Sequence, residues 1–139
     1  MARAPATNSL FVQRVSGVGG IFFRASDPEA LRAWYKLHLG VGLEPWGGSV
    51  FSWNGPENPT GTGSTVWSVV AQESSKFAKT GSSFMVNYRV ADLHALVAAL
   101  RSEGCDVDDE VSDSEYGIFG WVTDPEGNRI ELWQPPAGQ

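Results

Sequence analysis

The strand-like segment Arg129-Ile-Glu-Leu-Trp133 carries the carboxylate best placed for chemistry. Alternate residues of a strand share a face, so Glu131 stands with Arg129 and Trp133 while Ile130 and Leu132 point the other way. The same alternation sets Phe22 beside Arg24, and Met85 beside Asn87 and Arg89, with Ile21, Phe23, Val86 and Tyr88 opposite. A glutamate enclosed by apolar walls holds its proton more tightly and can serve as a general acid or base. Asn87 or Arg89 would then polarise a carbonyl or steady an anion. Glu131 has a second reading, as the ion-pair partner of Arg24, Arg89 or Arg129 that keeps the sheet in shape. That reading is preferred, because perturbed carboxylates also occur in ordinary ion pairs.

Other polar residues read as structure. His38 and His94 fall in helical segments with no partners at ligand spacing, and are expected at the helix surface, exposed or partly packed. Cys105 is the only cysteine, so no internal disulfide forms. With no basic neighbour nearby in sequence, it is expected to be a small buried hydrophobe rather than a reactive thiol. The run 103–115 holds seven Asp or Glu in thirteen positions. It lacks the glycine and terminal glutamate of an EF-hand loop and reads as a solvated edge or loop.

The elements that must position these residues come in two copies. At an offset of 65, residues 20–27 overlay residues 85–92, with Arg24 on Arg89, Asp27 on Asp92 and Leu31 on Leu96. Each copy opens with an apolar run rich in strand formers, 18–25 and 84–90, and ends it at a helix-capping aspartate. Asp27-Pro28-Glu29 adds proline at the first helical position and an anion at the positive end of the dipole. The first helix runs to about Leu39, where Gly40 supplies a left-handed stop. Leu93, Leu96, Val97 and Leu100 form one stripe of the second helix, which ends near Gly104. Strands follow at 49–53 and 65–71, then at 118–123 and 129–133, the last two joined by the turn Asp124-Pro-Glu-Gly-Asn128. The segment 54–64, rich in glycine and proline, is a mobile connection, either a lid or a plain surface loop.

Length and charge bound the answer. The chain has 139 residues, 42% of them hydrophobic, which suffices for one packed core and not for two. The formal charge of −6 offers no footing for nucleic acid or an anionic membrane. No apolar run approaches the ~20 residues of a membrane span, and residues 1–16 lack the pattern of a secretory signal. A cytoplasmic location is expected. Aromatic residues make up 12% of the chain and must fill a core or line a hollow.

A duplicated βαβββ unit that opens on Asp27-Pro-Glu-Ala-Leu-Arg-Ala-Trp-Tyr35, passes Leu39-Gly40 and closes on Asp124-Pro-Glu-Gly-Asn-Arg-Ile-Glu-Leu-Trp133 resembles the vicinal-oxygen-chelate superfamily of glyoxalases, bleomycin resistance proteins and extradiol dioxygenases. The resemblance covers about residues 15–136. It implies an α+β fold in which two βαβββ modules, about 15–71 and 83–136 around a linker at 72–82, form a curled mixed sheet around a cavity with helices outside. It also implies homodimers. In metal-dependent members the ligands sit on inward-facing strand positions, which fall here on Gly20, Met85, the segment Val66-Trp-Ser-Val-Val70 and Glu131. Only Glu131 of that set is a good ligand, so no metal or other cofactor is expected.

The cavity so implied would have Phe22, Arg24, Met85, Asn87, Arg89 and Trp133 on its walls, with Trp53, Trp67, Tyr116 and Trp121 as further lining candidates. Aromatic walls with a few fixed polar groups suit a small-molecule ligand. The first expectation is a metal-free small-molecule-binding protein of glyoxalase or bleomycin-resistance kind. The second is a metal-independent isomerase or lyase using Glu131 as acid or base. A metal-dependent glyoxalase or dioxygenase ranks third, since loss of the ion removes several kcal/mol of charge stabilisation.

Overall fold

The computed structural model describes residues 12–53, 63–77 and 81–138. Eight strands and two helices follow one another as β1 (Gly17–Ala25), α1 (Pro28–Leu39), β2 (Gly48–Ser52), β3 (Ser64–Ala71), β4 (Phe84–Arg89), α2 (Leu93–Ser102), β5 (Asp106–Val107), β6 (Ser112–Ser114), β7 (Gly117–Thr123) and β8 (Arg129–Gln134). The fold is α+β, and its strands form one open mixed sheet in the order β2-β3-β1-β4-β8-β7-β5, with β6 also on β7. The loop expected at 54–64 lies almost wholly outside the described residues.

Both helices start as their caps dictate. The carboxylates of Asp27 and Asp92 accept from the N–H groups of Ala30 and Ala95, each at 3.1 Å. Gly40 ends α1 at φ 69°, a conformation costly for residues with a Cβ. Leu93, Leu96 and Val97 of α2 pack with Val90 and Leu132 on one face of the sheet. Leu31 and Tyr35 of α1 pack with Ala25, Trp67 and Val69 farther along. No helix among the described residues is long and apolar enough to cross a membrane.

The halves repeat each other in register. The last strand of each half returns parallel to its first, with Phe22 opposite Ser68 and Asn87 opposite Glu131. β1 and β4 then join the halves antiparallel, pairing Phe22 with Met85 and Gly20 with Asn87. The offset of 65 equates Gly20 with Met85 and Phe22 with Asn87, so these pairs exchange under a local pseudo-dyad. A bulge between Val18 and Gly20 interrupts the ladder.

The acid-rich run forms the solvated edge read from the sequence: it contributes the short strands β5 and β6 to the outer edge of β7, and most of it is exposed. Cys105 departs from the sequence reading, being exposed and not buried. It occupies the turn that closes α2, where its N–H is committed to the carbonyl of Leu100 at 3.0 Å, and that turn carries the side chain to the surface.

Candidate functional site: an aromatic cavity

The face of the sheet turned away from the helices bears a third cluster, Phe22, Phe77, Met85 and Trp121. Above it lies a cavity of ≈ 830 Å³. Val50 of β2 and Ser112 of β6 both line it although they belong to opposite ends of the strand order, so the sheet is curled. Aromatic walls come from Phe22, Trp46, Tyr116, Phe119, Trp121 and Trp133. Ser68, Asn87, Lys76 and Arg129 supply polar groups, and the exposed Glu110 and Glu115 stand on the outer arm.

Glu131 lies beneath this surface. It is 0% exposed, and its two oxygens are held by different neighbours: Asn87 Nδ2 donates to Oε1 at 2.8 Å and Trp121 Nε1 donates to Oε2 at 3.0 Å. Asn87 and Trp121 both line the cavity, and so cover the carboxylate they bind. Burial pushes the Glu131 pKa up, against the opposing pull of Lys76, of the two N–H donors and of Arg129. Its partners are therefore an amide and an indole rather than the arginines expected from sequence. Arg129 pairs with Asp108 at 2.9 Å, Arg24 donates to the carbonyl of Ser82, and Arg89 lies between the rings of Trp53 and Trp133. Burial of Arg89 holds its pKa below the ordinary arginine value.

Phe22, Asn87, Tyr116, Trp121 and Trp133 come together around the cavity. Met85 lies under it at 1% exposure. Arg24 stacks on Phe77 at 4.9 Å. Trp53 donates its indole N–H to Thr65 Oγ1 at 2.8 Å. Trp67 belongs to the opposite face, 4.9 Å from the ring of Tyr35. Arg24, Trp53, Trp67 and Arg89 are not part of the lining.

Several lining residues escaped the sequence reading. Phe119 shares strand parity with Trp121 and was within reach of the same alternation argument. Ser68 is the register counterpart of Glu131, visible only once both parallel pairings are known. Lys76 lies in the connection between the halves, where Phe77, the single aromatic of residues 72–82, was the available signal. Trp46 gave no signal at all.

The donor set does not fit a divalent ion. The family's ligand positions hold Gly20, Met85 and, in β3, the hydroxyl of Ser68, while both Glu131 oxygens already accept N–H bonds. Among the described residues no group of three or more His, Cys, Asp or Glu is placed to share a metal.

The family model described as "Glyoxalase-like domain" matches residues 20–133. Comparison with curated protein sequences gives no match. Among solved structures, a methylmalonyl-CoA epimerase in complex with methylmalonyl-CoA and NH4+ superposes with a TM-score of 0.66 at 17% identity, covering 91% of this chain and 99% of that one. The Mycobacterium tuberculosis methylmalonyl-CoA epimerase gives 0.59 at 18%, covering 98% and 93%. A glyoxalase/bleomycin resistance protein/dioxygenase superfamily member from Vibrio splendidus 12B01 gives 0.54 at 14%, covering 88% and 98%. At such identities the likeness is one of fold.

Proposed function

The chain belongs to the glyoxalase-like domain family, and from that premise we propose that it is a metal-free protein that binds a small organic molecule in its aromatic cavity. One observation carries the reading: the ≈ 830 Å³ hollow is walled by aromatic rings, while the carboxylate best suited to chemistry is sealed behind Asn87 and Trp121. Aromatic walls interspersed with polar groups reward burial of a ligand that is partly apolar and partly polar, without demanding a reaction. Trp46, Trp121 and Trp133 line the hollow, so occupancy should change intrinsic fluorescence. Titration with a panel of aromatic metabolites and antibiotics, read by that fluorescence and by thermal shift, tests the reading. A panel in which no compound alters either signal would overturn it.

A metal-independent isomerase or lyase is the second reading, supported by the elevated proton affinity of Glu131. It requires Asn87 or Trp121 to swing aside so that a substrate proton can reach the carboxylate. Glu131→Gln would then keep ligand binding and abolish turnover. Association of two copies is also part of the proposal, supported by the apolar Trp34, Leu37 and Phe51 left exposed on α1 and β2. Sedimentation analysis reads it directly.

A further inference from the structure

Lys76 stands over the cavity floor, and no carboxylate among the described residues forms an ion pair with its ammonium, although the buried Glu131 acts on it through the field. Its ammonium lies 5.0 Å from the centre of the Phe22 ring and 5.4 Å from that of Phe119. The ion pairs among the described residues are Arg14–Glu103 and Arg129–Asp108, and Lys76 takes part in neither. The residue is not on a loose tether. Its carbonyl accepts from Arg129 Nε at 2.8 Å, and the adjoining Phe77 is 0% exposed in the cluster under the cavity. On the other side the Lys76 N–H donates to Ser74 Oγ at 3.4 Å, so the backbone is held on both sides of the side chain and the charge is delivered to one place.

Of the other charged groups around the hollow, Arg129 is committed to Asp108 and to the Lys76 carbonyl. Glu110 and Glu115 are exposed on the outer arm, where water and salt screen them. Glu131 is fully buried and already accepts a hydrogen bond on each oxygen. Among the described residues that line the hollow, Lys76 is left as the cation free to meet a ligand. Aromatic faces attract an ammonium weakly, whereas a carboxylate offers it a charge-assisted hydrogen bond in a partly desolvated setting.

We propose that the cavity selects an organic carboxylate with a flat apolar body, Lys76 recognising the carboxylate while the body rests against Phe22, Phe119 and Trp121. The proposal deepens the binding reading above and rests on it. The test uses cinnamate, phenylacetate and indoleacetate, each beside its uncharged primary amide, titrated calorimetrically into the wild-type chain, Lys76→Met and Lys76→Arg. A charge-assisted contact predicts that the wild type prefers acid to amide by about tenfold or more. Lys76→Met should erase that preference and Lys76→Arg should retain part of it. Thermal melts of both variants establish that they are folded. Equal affinity for acid and amide, or a preference that survives Lys76→Met, would sink the assignment of Lys76 and leave the binding reading standing. Failure of all three acids to bind the wild type would overturn the carboxylate proposal, while the broader panel of aromatic metabolites and antibiotics decides the binding reading.

Discussion

Asn87 places its amide oxygen where a side chain of Gly19 would begin. A Cβ at that glycine would overlap Asn87 Oδ1 and come within 3.0 Å of both Arg89 and Trp133. The bulge between Val18 and Gly20 turns Gly19 toward the cavity, and its missing side chain lets Asn87 settle against Glu131. Glycine is required there by close approach, not by backbone conformation.

Gly19→Ala should therefore displace Asn87 and lower stability by about 1–3 kcal/mol, the usual cost of overpacking. Gly42→Ala is the matched control, since a Cβ there meets nothing within 4 Å. Urea unfolding of the two variants measures the contrast. Equal midpoints would show that Asn87 yields without cost.

The second prediction concerns pH. Burial lifts the Glu131 pKa above its ordinary 4.5. Between that value and the raised one, the folded chain keeps a proton that the unfolded chain has released. Stability contributed through this group is fully present below the unfolded value and falls as pH rises through the window. Glu131→Gln cannot titrate and lacks the decline. The deficit of the variant relative to wild type should be largest near about pH 4 and shrink toward about pH 8. Denaturant melts across that range measure it; a deficit that grows with pH would reverse the assignment.

Phe77→Ala should cost about 3–5 kcal/mol, the range for emptying a buried aromatic site. Phe77 is 0% exposed, although it sits in the polar stretch joining the two halves. Its loss should also weaken carboxylate binding, because the adjoining Lys76 depends on that anchor. A loss of stability below about 1 kcal/mol in urea unfolding would mean the site collapses around the gap.

Dialysis against EDTA should leave both the melting temperature and ligand affinity unchanged. Elemental analysis of the purified protein checks the premise. Near-stoichiometric zinc, nickel or iron, with destabilisation on its removal, would overturn the metal-free reading.

Sequence patterns reached most of the scaffold because its signals are local. Asp27 and Asp92 cap helices through bonds three residues long, and strand parity correctly turned Ile21, Phe23, Tyr88, Ile130 and Leu132 toward the helices. Those signals fail where position depends on a distant partner. Parity could not reveal the bulge that brings Gly19 inward, because one extra residue reverses facing without changing composition. It also left Trp67 undecided, and packing against Phe23 and Tyr35 determined its face. The choice of Asn87 and Trp121 over three arginines as partners of Glu131 was equally invisible, for it depends on which strands become neighbours.

The pseudo-dyad between β1 and β4 gives the hollow a direction. Positions that exchange under it are chemically unlike: a phenyl ring answers an amide at Phe22 and Asn87, and a hydroxyl answers a carboxylate at Ser68 and Glu131. A scaffold of matching halves has thereby become a mould with distinguishable ends. On the binding reading proposed above, a guest that is itself lopsided would fit it one way round, and handedness could be discriminated without any change to the backbone.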